Sequence, residues 1–361
     1  MADVISSFKS LSTKMQELAT LEMDRLFSDM RLLAENTNVK VYAATRLDSG
    51  SSVALKCVQK ETTKKTDFLR EFYCNSYLSP HPNIVTCYDE AYATEAYYAF
   101  AQELAPVGDM SKHVKRGGVG DKRAKRVVEQ VVFALEYIHK KELVHRDVCL
   151  ENIFIFDHGL SRVKLGDFGN AERVGAFVKK LKVRSPWAPP EVSLAVYNEG
   201  YYVHSAQDAW QLGILIFVCL TGSYPWSSAD ITDRHYKSWV AWLKRKTTKM
   251  PPRFKCFTPR LLRLLRRLLE PKPEKRYGVE EVYKYLSDPW LLQVDHPGIS
   301  FDKCSSDIWL GQMWSLQRLV EKKMVDLLHS YLTQPEPVKK ESRRCVRFAA
   351  EVEAIDIVNL V

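Results

Sequence analysis

The sequence predicts a two-lobed α+β fold, a small strand-rich lobe followed by a large helical one. Three observations predict it. From Leu26 to Glu103 short apolar runs alternate with turn residues, the texture of strands. From Arg123 to Lys140 the apolar residues Val127, Val131, Ala134, Leu135 and Ile138 recur at helical spacing. Further on, the longest apolar run, Leu212 to Leu220, is too short to span a bilayer and reads as a buried helix at the centre of a sizeable core. The 361 residues are enough for one large two-lobed domain or two ordinary ones.

Composition bounds the function. Apolar content of 46% and charged content of 27% belong to a soluble globular protein. Eight cysteines show no Cys-x-x-Cys pair and no regular spacing, which argues against a zinc site or a disulfide framework. Reduced thiols point to the cytoplasm, with the nucleus left open. The first residues lack a basic segment followed by an apolar core, so secretion is not expected, and Ala2 stands where N-myristoylation needs glycine. The net charge of +9 lies largely in Lys244–Lys249 and Arg253–Arg276. Between Leu261 and Leu269 the leucines follow helical spacing and the arginines fall on the solvated face, which argues against a nucleic-acid surface.

Taken in order, residues 1–25 form a helical extension in which Leu11, Met15, Leu18 and Leu21 make the apolar stripe. Val39–Ala44 and Ser52–Lys56 flank the turn Asp48-Ser49-Gly50 and read as a hairpin. Asp67–Leu78 reads as a helix and Tyr97–Leu104 as a strand, completing a first lobe over 26–104. The second lobe, 105–290, holds the helix Arg123–Lys140, an apolar run at Ile153–Phe156, the stretch Val163–Leu165, and the buried helix from Asp208. Thr221-Gly222 ends that helix with stop chemistry. A helical extension over 291–334 carries the stripe Trp309, Met313, Leu316, Val320, Met324 and Leu327, expected to pack on the large lobe. The tail, 335–361, opens with a Pro-Glu-Lys linker and reads as disordered.

The chemistry is concentrated in His145-Arg146-Asp147-Val148-Cys149-Leu150-Glu151-Asn152, followed by Asp167-Phe168-Gly169. Phosphoryl transfer needs an acid to take the hydroxyl proton and side chains to hold the magnesium that bridges ATP phosphates. The two segments resemble the catalytic loop and the metal-binding turn of protein kinases. The resemblance implies the kinase fold, ATP and Mg2+ as cofactors, Asp147 as the base, and Asn152 and Asp167 as metal ligands. Val53-Ala54-Leu55-Lys56 resembles the strand whose lysine grips the α- and β-phosphates, and Glu71, fifteen residues on, is its implied ion-pair partner. By the same resemblance Leu33, Val41 and Ala54 line the nucleotide, backbone groups of Glu103 and Ala105 pair with adenine, Gln102 controls the back pocket, and Asp109 faces the ribose. Glu191, closing the segment Ser185-Pro186-Trp187-Ala188-Pro189-Pro190-Glu191, should pair with Arg276. Asp208-Ala209-Trp210-Gln211-Leu212-Gly213, with Leu220-Thr221-Gly222 and Pro225-Trp226, is similar to the SH3-binding-domain kinase family, of serine/threonine type.

Three departures bear on rate. Ala34, Asn36 and Val39 stand where the kinase phosphate loop has glycines, which let backbone lie close to phosphate. Cys149 stands where serine/threonine kinases carry a lysine; losing one transition-state donor costs about 2–4 kcal/mol. The segment from Asp167 to Glu191 has no threonine, and Ser185 is its single serine, so activation by phosphorylation there is doubtful. The five retained residues favour an ATP-dependent kinase acting slowly on serine or threonine hydroxyls of protein substrates. The alternative is a pseudokinase scaffold. In the tail, Arg344-Cys345-Val346-Arg347-Phe348 resembles peptides that dock on protein phosphatase-1, with Val346 and Phe348 as the buried positions.

Overall fold

The computed structural model describes residues 22–179, 185–196 and 199–292. Residues 1–21 of the extension expected over 1–25, residues 293–334 of that expected over 291–334, the tail and the phosphatase-docking pattern at Val346 and Phe348 lie outside the described residues.

The first lobe is a five-stranded antiparallel sheet with one helix. β1 (Phe27–Glu35), β2 (Val39–Arg46) and β3 (Ser52–Gln59) run as a meander, α1 (Lys65–Leu78) crosses over, and β4 (Cys87–Ala93) and β5 (Tyr97–Glu103) complete the order β1-β2-β3-β5-β4. Alternation along β3 divides its side chains between two cores. Val53, Leu55 and Cys57 pack with Phe27, Tyr92, Ala99 and Ala101 on one face. On the other, Phe68 and Phe72, one helical turn apart on α1, lie 5.9 and 5.7 Å from the Phe100 ring. Phe100 is the cross-strand partner of Lys56, and directly opposed residues share a face. The register therefore turns Lys56 toward α1. The same rule puts Val41, Ala54 and Gln102 on that face, since Val41 opposes Lys56 and Gln102 opposes Ala54.

The second lobe begins with β6 (Gly108–Asp109) and α2 (Asp121–Lys140), followed by β7 (Leu143–Val144), β8 (Ile153–Ile155), β9 (Val163–Leu165) and β10 (Glu172–Arg173). β6, β8 and β9 form one small sheet, and β7 pairs with β10. β11 (Phe177–Val178) pairs with β12 (Tyr201–Tyr202) on the far side of the short helix α3 (Pro190–Ser193). α4 (Ala206–Thr221) is buried at every position from Ala206 to Leu220. It begins two residues before Asp208, so that carboxylate sits inside the first turn. α4 stops at Gly222, whose φ of +74° only glycine adopts freely; a Cβ there would lie 2.0 Å from the Lys115 carbonyl. α5 (Arg234–Leu243) and α6 (Pro259–Leu268) close the lobe. α6 buries Leu261, Leu262, Leu264, Leu265 and Leu268. Its arginines face outward, Arg266 over the Trp242 ring and Arg267 over Tyr277.

The lobes meet where the chain after α1 lies against β9. Val85 N–H donates to the Leu165 carbonyl at 2.9 Å, and Leu165 N–H donates to the Asn83 carbonyl at 2.8 Å. These bonds set β3 and α1 opposite the turn that follows β9.

Candidate active site

Between the lobes, β3, α1 and the turn after β9 bring three charges together. Lys56 Nζ lies 2.5 Å from Glu71 Oε1 and 3.0 Å from Asp167 Oδ1. Burial works against the Lys56 charge, but Asp167 and then Glu71 outweigh it and hold the ammonium above its ordinary range. Burial likewise pushes the Asp167 carboxyl up, and Lys56 with the Gly169 N–H pulls it below the usual carboxylate range. Asp167 holds a left-handed backbone, φ +62°, which aims its carboxylate into the cleft. Phe168, 1% exposed, anchors the turn by packing 4.9 Å from the His145 ring.

The loop before β8 is fixed from below by α4. Asp208, fully buried, accepts from His145 N–H at 2.9 Å, Arg146 N–H at 2.7 Å and His139 Nε2 at 2.8 Å. Gln211, one turn on, accepts from Val148 N–H and donates to the Arg146 carbonyl, both at 2.8 Å. These bonds hold Arg146 at a φ of +67° and so set the direction of Asp147. The Arg146 guanidinium donates to the Asn170 carbonyl and to the Tyr201 hydroxyl of β12, both at 2.8 Å.

Asp147 accepts from Asn152 Nδ2 at 3.1 Å and Asn170 Nδ2 at 3.2 Å through Oδ2, and from Trp187 Nε1 at 2.9 Å through Oδ1. Burial raises its carboxyl, and the Trp187 donor is the largest effect opposing this. Cys149, 5% exposed, is pushed well above the ordinary thiol range by burial and by Asp147 and Glu151, so it is a neutral thiol.

Asn152 donates its amide nitrogen to the Asp147 carbonyl at 2.9 Å and to the carboxylate, which leaves its Oδ1 as the side chain's acceptor atom. Among the described residues no group of three or more His, Cys, Asp or Glu could enclose a metal. One carboxylate and one amide oxygen instead suit magnesium, which keeps waters and completes its shell with phosphate oxygens.

The family model for the protein kinase domain matches residues 27–291. The chain belongs to the protein kinase family. Among relatives, serine/threonine-protein kinase SBK1 of Danio rerio is 40% identical over 278 residues, 77% of this chain and 72% of the relative. Serine/threonine-protein kinase meng-po of Drosophila melanogaster is 38% identical over 277 residues, 76% of this chain and 61% of the relative. Serine/threonine-protein kinase SBK1 of Mus musculus is 37% identical over 273 residues, 75% of this chain and 66% of the relative. The chain is a serine/threonine-type protein kinase of the SH3-binding-domain group.

Each residue singled out in the kinase sequence has a definite place. Val41 and Ala54 are half-buried on the cleft face of the sheet, and Leu33, 37% exposed, lies at a β1 irregularity near the rim. The Glu103 carboxylate accepts from Thr86 N–H at 2.7 Å and pairs with Lys164, and the Glu103 N–H donates to the Thr86 carbonyl at 2.9 Å. The Ala105 carbonyl accepts from Gly108 N–H at 3.2 Å. Asp109 is held by Ser111 N–H at 3.1 Å and by Lys112 at 2.7 Å. Glu191 and Arg276 form the expected bidentate pair, at 2.8 and 2.9 Å.

The glycine-less β1–β2 turn closes by a different device. Asn36 Oδ1 accepts from Asn38 N–H at 2.9 Å and Val39 N–H at 2.8 Å, an Asx turn. None of Ala34, Asn36 or Val39 is among the residues with positive φ.

Sequence reasoning missed Trp187, Asn170 and Asp208 as partners of the catalytic loop, and the link from Gln102 Nε2 to Asn75 Oδ1 at 2.8 Å behind the nucleotide cleft. Asn75 is fully buried on α1, where helical periodicity alone expects an apolar residue.

Proposed function

We propose that the kinase binds ATP with Mg2+ between its lobes and transfers the γ-phosphate to serine or threonine hydroxyls of protein substrates. The assembly of Lys56, Glu71 and Asp167 within single hydrogen-bond distances carries this reading. Lys56 holds the α- and β-phosphates, and Glu71 keeps its ammonium in place when phosphate oxygens compete for it. Asn152 Oδ1 and Asp167 would hold the metal, which when bound would supply charge neutralisation on the phosphate oxygens. Asp147 accepts the hydroxyl proton, and its three donors fix the direction from which the hydroxyl approaches. Val41 and Ala54 offer an apolar ceiling to the adenine, and the backbone at Glu103 and Ala105 offers its edge.

Arg146 is engaged by the Tyr201 hydroxyl, and no threonine lies between Asp167 and Glu191, which supports a kinase whose activity does not depend on a phosphothreonine there. Six cysteines among the described residues are free thiols, five of them buried, which supports a reducing location in cytoplasm or nucleus. A thermal-shift titration with ATP and Mg2+, beside a radiolabel transfer assay, tests the reading. Stabilisation with transfer abolished by Lys56→Met is the expected result; no stabilisation and no transfer would favour a scaffold.

A further inference from the structure

The loop around Asp147 carries no cation at position 149. Cys149 is buried and neutral, so it gives the base neither charge nor a strong donor. The donor that reaches Oδ1 of the carboxylate comes from forty residues away, the Trp187 indole N–H at 2.9 Å.

The acceptor count makes this contact consequential. Each carboxylate oxygen offers about two acceptor directions. Oδ2 already takes two amide donors, Asn152 and Asn170. Oδ1 takes one, from Trp187, and keeps one direction open. A hydroxyl that is to lose its proton to Asp147 has that direction to donate into. With Trp187 gone, Oδ1 would have two open directions, and water or a misplaced hydroxyl could take either.

The donor also has a firm mount. The Trp187 ring packs at 5.9 Å from that of Tyr224, itself 6% exposed, against the core of the large lobe. Two residues on, Pro189 and Pro190 lead into α3, whose Glu191 is clamped by Arg276 at 2.8 and 2.9 Å.

We infer that Trp187 is a positioning residue for phosphotransfer, its indole N–H holding the Asp147 carboxylate in the orientation that accepts the substrate hydroxyl. The inference rests on Asp147 being the base. It replaces one role of the missing cation, orientation of the base, and not the other, neutralisation of the transferred phosphate. Titratable groups facing Asp147 are His145 and Cys149 on its own loop and Asp167 across the cleft. Asp167 opposes its ionised form and His145 favours it, so a lost Trp187 donor acts in the same direction as Asp167.

The test is Trp187→Phe in the full chain, assayed for transfer of radiolabelled phosphate from ATP to a serine peptide across a pH series. An aromatic ring stays and the donor goes. The expected result is a kcat lower by about tenfold to a hundredfold, the range for a hydrogen bond to a charged group, with KM for ATP unchanged. The acid limb of the kcat profile should also move to higher pH, because the charged form of Asp147 loses a donor. Should the Phe variant fail to fold, incorporation of benzothienylalanine at 187, which swaps the indole N–H for sulfur at equal shape, gives the same comparison. A folded variant with kcat and pH profile unchanged overturns the inference. So does a raised kcat, which would make Trp187 a plug on the base. Asp147→Asn run in parallel separates the two readings: activity retained there removes the base assignment, whereas activity lost there with Trp187→Phe at full rate removes this inference alone.

Discussion

Replacing Asp208 by asparagine would leave the shape of α4 intact and change the acceptor on which the catalytic loop rests. The carboxylate takes three donors, His145 N–H, Arg146 N–H and His139 Nε2, at 2.7 to 2.9 Å. An amide has one acceptor oxygen, so its NH2 group must face at least one of those backbone N–H donors. An unsatisfied buried donor costs about 1–3 kcal/mol, and the remaining bonds lose charge assistance, so a total near ~3 kcal/mol is expected. At about 2–4 °C per kcal/mol for a domain of this size, the Tm of Asp208→Asn should fall by roughly 6–12 °C near neutral pH. The sign of the pH effect follows from the same contacts. Burial raises the Asp208 carboxyl, but His139 and the backbone donors outweigh it and hold it below the usual range. A depressed value means that its stabilisation is present above a pH of about 4 and is lost as pH falls through the lower folded value. Asparagine does not titrate, so the gap between wild type and variant should narrow on acidification. Kinase activity should fall as well, because Arg146 would relax from its φ of +67° and carry Asp147 with it. Differential scanning fluorimetry at a neutral and an acid pH measures both effects. A Tm within about 2 °C of wild type, or a gap that widens with acid, would refute the reasoning.

Lys56→Met should abolish phosphotransfer while leaving the far-UV spectrum unchanged, since the stem is retained and the charge that grips phosphate is removed; measurable transfer at wild-type rate would count against its role. Cys149 should resist iodoacetamide near pH 7 for as long as the domain is folded, because burial and the adjacent carboxylates keep the thiol neutral; mass spectrometry of the alkylated peptide reads this directly. Gly222→Ala should destabilise by several kcal/mol, as a strained left-handed residue and a Cβ placed 2.0 Å from the Lys115 carbonyl act together. Urea unfolding with a midpoint equal to wild type would show that the α4 stop is not tight.

The residues that mark the fold in the sequence are those whose chemistry forces both identity and spacing. Lys56, Glu71, Asp147, Asn152 and Asp167 form such a set, and the strand register explains why Lys56 meets α1 across fifteen residues of chain. The ends of α1, α2 and α4 were legible to within two residues, α4 through its stop at Gly222, whereas α5 was not read as a helix. What stayed hidden depends on where a side chain lands after the backbone folds. Trp187 sits in a stretch read for its closing Pro-Pro-Glu, and nothing in its neighbours says that its indole turns back to Asp147. Asp208 was legible as a helix start but not as an acceptor for backbone N–H groups sixty-two and sixty-three residues earlier. The missing loop glycines suggested a weakened phosphate loop, yet Asn36 closes the turn through its own side chain. Periodicity sees apolar faces; it does not see polar links such as Gln102–Asn75 within them.

The central claim is that this kinase uses Asp147 to take the proton of a protein hydroxyl. The most direct measurement is radiolabel transfer from ATP and Mg2+ by purified wild type and Asp147→Asn at matched concentration, with ATP binding checked by thermal shift. Wild-type transfer, with a variant that binds ATP equally and transfers at least about a hundredfold more slowly, is the expected result. Equal transfer by both proteins would contradict the account.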